Sequence, residues 1–450
     1  MPSHKNQYKT ISLSRHMVSF RFLLLSSQNK KRPNLAEGKP SFTILKAIID
    51  PLLLSSPMQY RRFGRTELQI PVFSCGGMRY QHSWKDIPQW QIPRKNQENL
   101  DATIRRSLEV GINHIETARG YGTSEVQLGR ILPQLPRQEM IVQTKVSPSA
   151  DPQQFRQVLE QSLKNLRLDY IDLLGMHGIN TLEILDQVVR PGGCMEVARE
   201  FQRQGRVRFI GFSTHAPTAV IQAAIATDQF DYVNLHWYYI NQDNWSAIHD
   251  ARQHDMGVFI ISPSDKGGHL YNPPQKLVDL CQPLSPMVFN DLFCLSHPQV
   301  HTLSLGASRP SDFDEHLQAI PLLERADEVL PPILTRLEEA AIEALGKDWL
   351  RTWRIGLPAP ENTPGEVNIP IILWLYNLLE AFDMEEYAQA RYNLLGNGGH
   401  WFPGQKADKA APNALKTALR QSPHADKIPE LLQAIHQRIG GKEVKRLSRS

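Results

Sequence analysis

Between residues 58 and 323 the chain alternates between two kinds of segment, and this alternation limits the fold more than any other feature. Short β-branched or apolar runs fall at residues 72–78, 113–118, 140–146, 170–177, 207–214, 232–237, 257–262 and 300–307. Stretches with helical spacing lie between them, at 97–110, 124–135, 151–166, 182–204, 218–227, 245–254 and 311–323. Eight strands alternating with helices predict a parallel sheet closed as a TIM (β/α)8 barrel, an α/β fold. The competitor is an open, doubly wound sheet, which calls for a GxGxxG turn after its first strand. Here Gly76 and Gly77 run into a long polar loop instead. Residues 58–71 read as a hairpin around Gly64 and Arg65 that covers the barrel bottom.

A barrel takes about 250 residues, and this chain has 450. The barrel unit is therefore expected at 58–325, with other material on both sides. Residues 1–57 are rich in Ser, Lys and Arg, with Glu37 and Asp50 their only acids. That composition predicts a disordered or non-native extension, with a transit peptide or a true start at Met58 as alternatives. Residues 326–440 are helical in pattern, broken by prolines, and are expected to form a separate all-helical domain ahead of a basic tail at 441–450.

The net charge of +4 carries no nucleic-acid signature. No apolar run approaches the length of a membrane span, about 18 residues or more. The four cysteines, Cys75, Cys194, Cys281 and Cys294, show no CxxC spacing, which fits a reduced, cytoplasmic protein.

Catalytic groups of a TIM barrel sit at the C-terminal ends of its strands and in the loops that follow. Those positions hold Glu116 and Tyr121 (HIETARGYGTSE), Lys145 (IVQTKV) and His177 (DLLGMHG). An acid, a phenol, an ammonium and an imidazole are thus directed to one mouth from three neighbouring strands. A lysine inside an apolar strand is itself unusual, because an unpaired buried lysine is rare. A free tyrosine is a poor acid near neutrality. A neighbouring ammonium is expected to lower its pKa, with Glu116 pairing Lys145 and His177 as a further hydrogen-bonding group.

These segments resemble the aldo/keto reductase pattern of D-T-A-x-x-Y-G, then T-K, then a histidine on the fourth strand. The resemblance runs through residues 58–323. It implies reduction of an aldehyde or ketone by NADPH or NADH, with Tyr121 as proton donor. The family's acid is usually Asp, so Glu116 is one methylene longer than the pattern.

The resemblance also implies a cofactor lying across the mouth without a dinucleotide-binding subdomain. Ser213, Thr214 and Asn234 match positions that bind the nicotinamide amide. Ser262 and Pro263 match the segment after strand seven, with Lys266 near the pyrophosphate. Gly306, Ala307 and Ser308 offer backbone donors to an anion, Arg309 matches a partner for a 2′-phosphate, and Glu315 meets the adenine. Asp312 departs from the pattern by placing a negative charge where many relatives have a base. Trp237, Tyr238 and Tyr239 are candidates for the substrate pocket or for barrel-top packing, and the loop 80–94, with Trp84 and Trp90, for a roof.

Some aldo/keto reductases carry a C-terminal ferredoxin-like domain with two CxxCxxCxxxCP motifs. This chain shows two echoes of that frame. One runs Trp353, Gly356, Ala359, Thr363 and Pro364; the other runs Pro412, Leu415, Ala418, Ser422 and Pro423. Every thiolate position is replaced, and iron–sulfur clusters require cysteine thiolates. No cluster or other metal is therefore expected, and Trp353, Trp374 and Trp401 are expected to fill the space. The apolar run 399–403 is expected at the surface, where the helical domain could meet the barrel or a protein partner. The competing functional reading is a catalytically weakened barrel that senses a nucleotide or binds a partner. An enzyme supplied with electrons through the helical domain is disfavoured by the missing thiolates.

Overall fold

The computed structural model describes residues 57–396 and 403–441. Residues 1–56, the run 397–402 with Trp401, and the tail from 442 lie outside the described residues.

Among the described residues there are ten strands: β1 (Tyr60–Arg62), β2 (Gln69–Pro71), β3 (Phe73–Gly76), β4 (His114–Glu116), β5 (Ile141–Val146), β6 (Ile171–His177), β7 (Val207–Ser213), β8 (Tyr232–Leu235), β9 (Gly257–Ile260) and β10 (Thr302–Leu305). Strands β3 to β10 close a barrel in the order β10-β3-β4-β5-β6-β7-β8-β9. Each expected run contains one of these parallel strands. Several strands end one or two residues early, because the last residues of the run turn out into the loops of the mouth.

The hairpin β1–β2 plugs the bottom as expected. Its turn presses Phe63 into a small core with Ile70, Ile141, Leu173, Tyr232 and Phe259. Gly257 makes room for it, since a Cβ there would lie 2.5 Å from the Phe63 ring. A polar network crosses the interior of the barrel. His114 Nδ1 meets Ser74 Oγ at 2.6 Å and its Nε2 meets Gln143 Oε1 at 3.1 Å. Burial, followed by the Lys145 charge, pulls the His114 imidazole down to about 3, so it is neutral.

The helices depart from expectation in two places. The stretch 182–204 is two helices, Leu182–Val189 and Cys194–Arg203. Pro191, Gly192 and Gly193 break it, because proline cannot continue a helix interior. Two helices not read from the sequence, Gln275–Cys281 and Pro286–Leu295, connect β9 to β10. The second is buried along its whole length, so it has no polar face to give its sequence a helical period.

Beyond the barrel the chain is helical: Ala326–Leu345, Lys347–Thr352, Ile369–Phe382, Glu385–Tyr392, Pro412–Ala418 and Ile428–Ile439. Ile369–Phe382 starts on an Asn368 cap, whose Oδ1 accepts from Ile371 N at 3.1 Å. Most of its side chains are buried. Trp374 on this helix donates Nε1–H to the Ile240 carbonyl at 2.8 Å, and Arg354 pairs with Asp243 at 2.7 Å. Both contacts tie the helical region to loops at the barrel mouth. Among the described residues, no helix is long and apolar enough to cross a membrane.

Candidate active site at the barrel mouth

Lys145 comes from the end of β5, and its stem needs space across the strand pair. Its register partner on β6 is Gly175, which leaves that space open. The ammonium then reaches the Glu116 carboxylate on β4 and donates to the Thr117 carbonyl at 2.8 Å. Glu116 is held from its other oxygen by Ser304 Oγ on β10, at 3.4 Å. The extra methylene of Glu116 therefore does not break the expected acid–ammonium pair. Both side chains are nearly inaccessible, at 1% and 4% exposure, so the two charges depend on one another.

Tyr121 follows β4 in a tight loop. Gly122 adopts φ +52°, and a Cβ there would meet the Ser83 carbonyl at 1.9 Å. The Lys145 ammonium lies 4.9 Å from the Tyr121 ring centre. His177, at the end of β6, meets the same ring edge-on at 5.8 Å. Trp84 closes the other side, also edge-on, at 6.4 Å. The loop 80–94 thus supplies a wall through Trp84, whereas Trp90 is 81% exposed and roofs nothing.

The electrostatics correct one expectation. Burial, followed by the Glu116 carboxylate, pushes the Tyr121 phenol well above its ordinary value. Lys145 does not lower it in this state, because the ammonium is already matched by Glu116 and burial disfavours a phenolate. Burial pulls the Lys145 ammonium down, and Glu116 opposes that pull. Burial, then Lys145 and Lys266, brings the His177 imidazole down to about 3. The arrangement is a protonated phenol beside a neutral imidazole and a paired ammonium.

Tyr121, Lys145, His177 and Glu116 line one cavity of about 280 Å³. Of the residues expected to hold a cofactor, Ser213, Ser262, Lys266 and Gly306 line it too. Ser262 has φ +55°, a rare backbone for serine, where the chain turns off β9. Asn234 is fully buried at the end of β8, in register with Ser213, and neither of its amide atoms has a hydrogen-bond partner among the described residues.

Other expected cofactor residues are held elsewhere. Thr214 Oγ1 donates to the Ile179 carbonyl at 2.7 Å and accepts from Ala216 N at 3.0 Å, so it braces a loop. The Pro263 carbonyl accepts from Asn290 at 3.2 Å. Asp312 accepts from Ser308 N at 2.9 Å and Ser308 Oγ at 2.8 Å, and from Arg309 Nε at 3.0 Å. A carboxylate of the chain thus takes the donors expected for a 2′-phosphate. Glu315 accepts from Ser285 Oγ at 2.5 Å. Trp237 and Tyr239 pack against Phe293, and Tyr238 donates to the Ile261 carbonyl, so the aromatic trio is barrel-top packing.

Several cavity residues were not read from the sequence: Arg79, His215, Tyr271, Ser304 and Arg391. Arg79 donates to the Gly306 carbonyl at 2.7 Å and stacks on Tyr271 at 4.2 Å, joining the loops after β3 and β9. Ser304 was legible in principle, as a polar residue near the end of the last barrel strand.

Comparison with known proteins agrees with this geometry. Residues 74–268 match the aldo/keto reductase family. L-galactose dehydrogenase of Arabidopsis thaliana is 33% identical over 126 residues, which are 26% of this chain and 39% of that protein. A probable aldo-keto reductase of Glycine max is 26% identical over 188 residues, 39% of this chain and 52% of that one. The chain therefore matches about half or less of the length of these two curated relatives. The holo form of an aldo-keto reductase from Bacillus halodurans superposes with a TM-score of 0.52 and 21% identity, over 62% of this chain and 96% of that one. At that identity the likeness speaks for the fold. Strand order and sequence match agree: residues 74–268, the greater part of the barrel, match the aldo/keto reductase family.

Proposed function

We propose that the barrel mouth reduces an aldehyde or ketone to an alcohol with NADPH or NADH, and that Tyr121 donates the proton. The observation that carries this reading is the convergence of Tyr121, Lys145 and His177 on one cavity. A proton donor must hold its proton before the reaction, and burial keeps the Tyr121 phenol protonated. Negative charge develops on the carbonyl oxygen in the transition state, and a preorganised O–H donor answers it there. The phenolate left behind faces the Lys145 ammonium, which limits the cost of forming it. The neutral His177 imidazole can orient the carbonyl oxygen without competing as an acid.

The residues present fit the cofactor. The partnerless amide of buried Asn234, beside Ser213, offers the donor and acceptor that a carboxamide requires. Ser213 and Asn234 would hold that end, Ser262, Pro263 and Lys266 the pyrophosphate, and Gly306, Ser308, Arg309 and Glu315 the adenosine end. When bound, the nicotinamide supplies the hydride. A 2′-phosphate would have to displace Asp312 from Ser308 and Arg309, so the arrangement gives NADPH no clear advantage over NADH.

The same proposal extends to the helical region, read as a ferredoxin-like frame in which packing replaces clusters. The two echo loops meet: a Cβ on Gly356 would lie 2.2 Å from Gln421 O and 2.8 Å from Ser422 N. That pairs a second motif position with the fourth position of the other motif, the crossing pattern of two-cluster ferredoxins. Trp353 is 1% exposed beside it. Anaerobic purification followed by iron analysis and visible absorption tests this, and a cluster absorption band would overturn it.

The reductase reading is tested by titrating NADPH and NADH against tryptophan fluorescence, then screening carbonyl substrates with Tyr121→Phe as control. Saturable quenching, with turnover that collapses in Tyr121→Phe, supports it. Failure to bind either nucleotide at millimolar concentration sinks it. The alternative of a weakened nucleotide sensor draws no support from the mouth, where Glu116 keeps its pairing with Lys145.

A further inference from the structure

The loop 261–274, between β9 and the helix Gln275–Cys281, carries Ser262 and Lys266 to the barrel mouth. Its backbone is unusual. Ser262 and His269 both adopt φ +55°, in the left-handed region that side chains disfavour, and Gly268 stands at φ +137°. Backbone of this kind persists only where its surroundings hold it. Part of the hold is internal: Lys266 N donates to the Ser262 carbonyl at 3.0 Å, and Leu270 N to the Ser264 carbonyl at 2.8 Å.

Further hold comes from the helical region, through helix Glu385–Tyr392 and the residue before it. Tyr387, 2% exposed, donates its hydroxyl to the Lys266 carbonyl at 2.6 Å, and its ring meets His269 edge-on at 5.4 Å. Arg391, one turn further on, pairs with Asp265 at 3.3 Å, and Glu386 accepts from Asn272 Nδ2 at 3.2 Å. Met384 covers Gly268 so closely that a Cβ there would lie 2.9 Å from Met384 Cε. Trp374 packs edge-on against the Tyr387 ring at 6.1 Å and is itself tied to the Ile240 carbonyl. Contacts with the helical region thus run from Asp265 to Asn272, although Tyr387 and Lys266 are 121 positions apart. A loop that admits and releases a ligand belongs to the less stable parts of a fold. Here its shape depends on an element from outside the barrel.

We propose that Tyr387 is a positioning residue for the nucleotide site: it ties the loop 261–274 to the helical region, so that nucleotide binding at the mouth and docking of helix Glu385–Tyr392 strengthen one another. Tyr387 is not among the residues that line the cavity. It acts through the Lys266 backbone, which sets where that segment and Ser262 stand in the mouth. Coupling of this kind is reciprocal: whatever the docked helix adds to nucleotide affinity, bound nucleotide adds to the docking. The helical region is then part of the frame of the site and also registers whether the mouth is occupied. The inference rests on the reading of the mouth as a nucleotide site.

The test uses the full chain, as wild type, Tyr387→Phe and Asp243→Asn, with thermal melts to establish folding. Tyr387→Phe keeps the ring packing and loses the bond to the Lys266 carbonyl. Asp243→Asn breaks the pair with Arg354 and so loosens the helical region at a different loop. NADH and NADPH are titrated by tryptophan fluorescence, and amide hydrogen exchange is followed by mass spectrometry with and without saturating nucleotide. Tyr387→Phe should bind nucleotide about three- to tenfold more weakly, the worth of one hydrogen bond, and exchange faster in residues 261–274. In the wild type, bound nucleotide should slow exchange in residues 384–392, an effect reduced in Tyr387→Phe. Asp243→Asn should keep wild-type nucleotide affinity; an equal loss there would mean general loosening and overturn the assignment to Tyr387. If Tyr387→Phe does not fold, Asn272→Ala must show the same changes in smaller size. A folded Tyr387→Phe that binds nucleotide as the wild type does, or nucleotide that leaves exchange in residues 384–392 unchanged, overturns the coupling and leaves the reductase reading standing. A wild type that binds neither nucleotide removes both.

Discussion

Gly175 on β6 lies opposite Lys145 on β5, and the absence of its side chain is what lets the Lys145 stem cross towards Glu116. A Cβ at position 175 would sit 2.8 Å from Lys145 Cγ. At that distance the lysine stem would have to move. Gly175→Ala should lower stability by about 1–3 kcal/mol, as overpacked cores do. Turnover should fall on the order of 10²-fold, because a small misplacement of a catalytic group is costly. Nucleotide titration should be nearly unchanged. Chemical denaturation and steady-state kinetics read the two effects separately, and full activity in a folded Gly175→Ala would show that the Lys145 position is not critical.

Tyr121→Phe keeps the ring contacts with Lys145, His177 and Trp84 and removes only the hydroxyl. The expected loss in kcat is about 10²–10⁴-fold, the range for a positioned general acid. Cofactor affinity should not move. Single-turnover hydride transfer, followed by the loss of nicotinamide absorbance, checks it; a Phe variant at wild-type rate would remove Tyr121 from the mechanism.

The pH dependence of anion binding should follow Lys266. Burial, then Arg391, pulls its ammonium down to about 7, and Asp265 partly restores it. The imidazoles of His215 and His236 face the same Nζ. Pyrophosphate affinity should therefore fall as pH rises through about 7 and lose this step in Lys266→Met. Stability has the opposite sign. A folded pKa below the ordinary lysine value means that the unfolded chain binds more protons between the two values. Lys266 thus costs stability below pH 7 and ceases to do so as pH rises towards the ordinary lysine range. Urea midpoints of wild type against Lys266→Met across that window provide the measurement.

Asp312 is the anion that the chain itself sets against Ser308 and Arg309. Its carboxyl is held below its ordinary value: burial raises it, but the Ser308 hydrogen bonds and Arg309 outweigh that effect. Asp312→Ala should free Ser308 N–H and Arg309 and shift the NADPH-to-NADH affinity ratio towards NADPH by about tenfold, the effect of one charge-assisted contact. Parallel titrations of the two nucleotides decide it. An unchanged ratio would mean that the 2′ position lies elsewhere.

Much of the fold could be read from residue order because the relevant rules are local. Eight runs of strand character, spaced by helices, allow few topologies, and strand-end positions then place Glu116, Tyr121, Lys145 and His177 at one mouth. The break at Pro191 was equally local, and its omission was a misreading of a visible signal. Helix Pro286–Leu295 was different: buried all round, it carries no period to read. The roles of Thr214, Arg309 and Glu315 were also closed to the sequence. Each side chain has a competing partner whose position depends on how loops settle, as Ser285 does for Glu315.

The sequence by itself determined the barrel, its strand order and the chemical identity of the groups at its mouth, because pleat, helix period and connection length act over short distances. The tertiary structure alone decided that the Tyr121 phenol is held protonated, that Asp312 takes the donors of Ser308 and Arg309, and that Arg391 enters the cavity. Protonation depends on burial, and burial is a property of the packed chain. Arg391 and Asp265 meet across 126 positions, a contact that only docking of the helical region on the barrel can bring about.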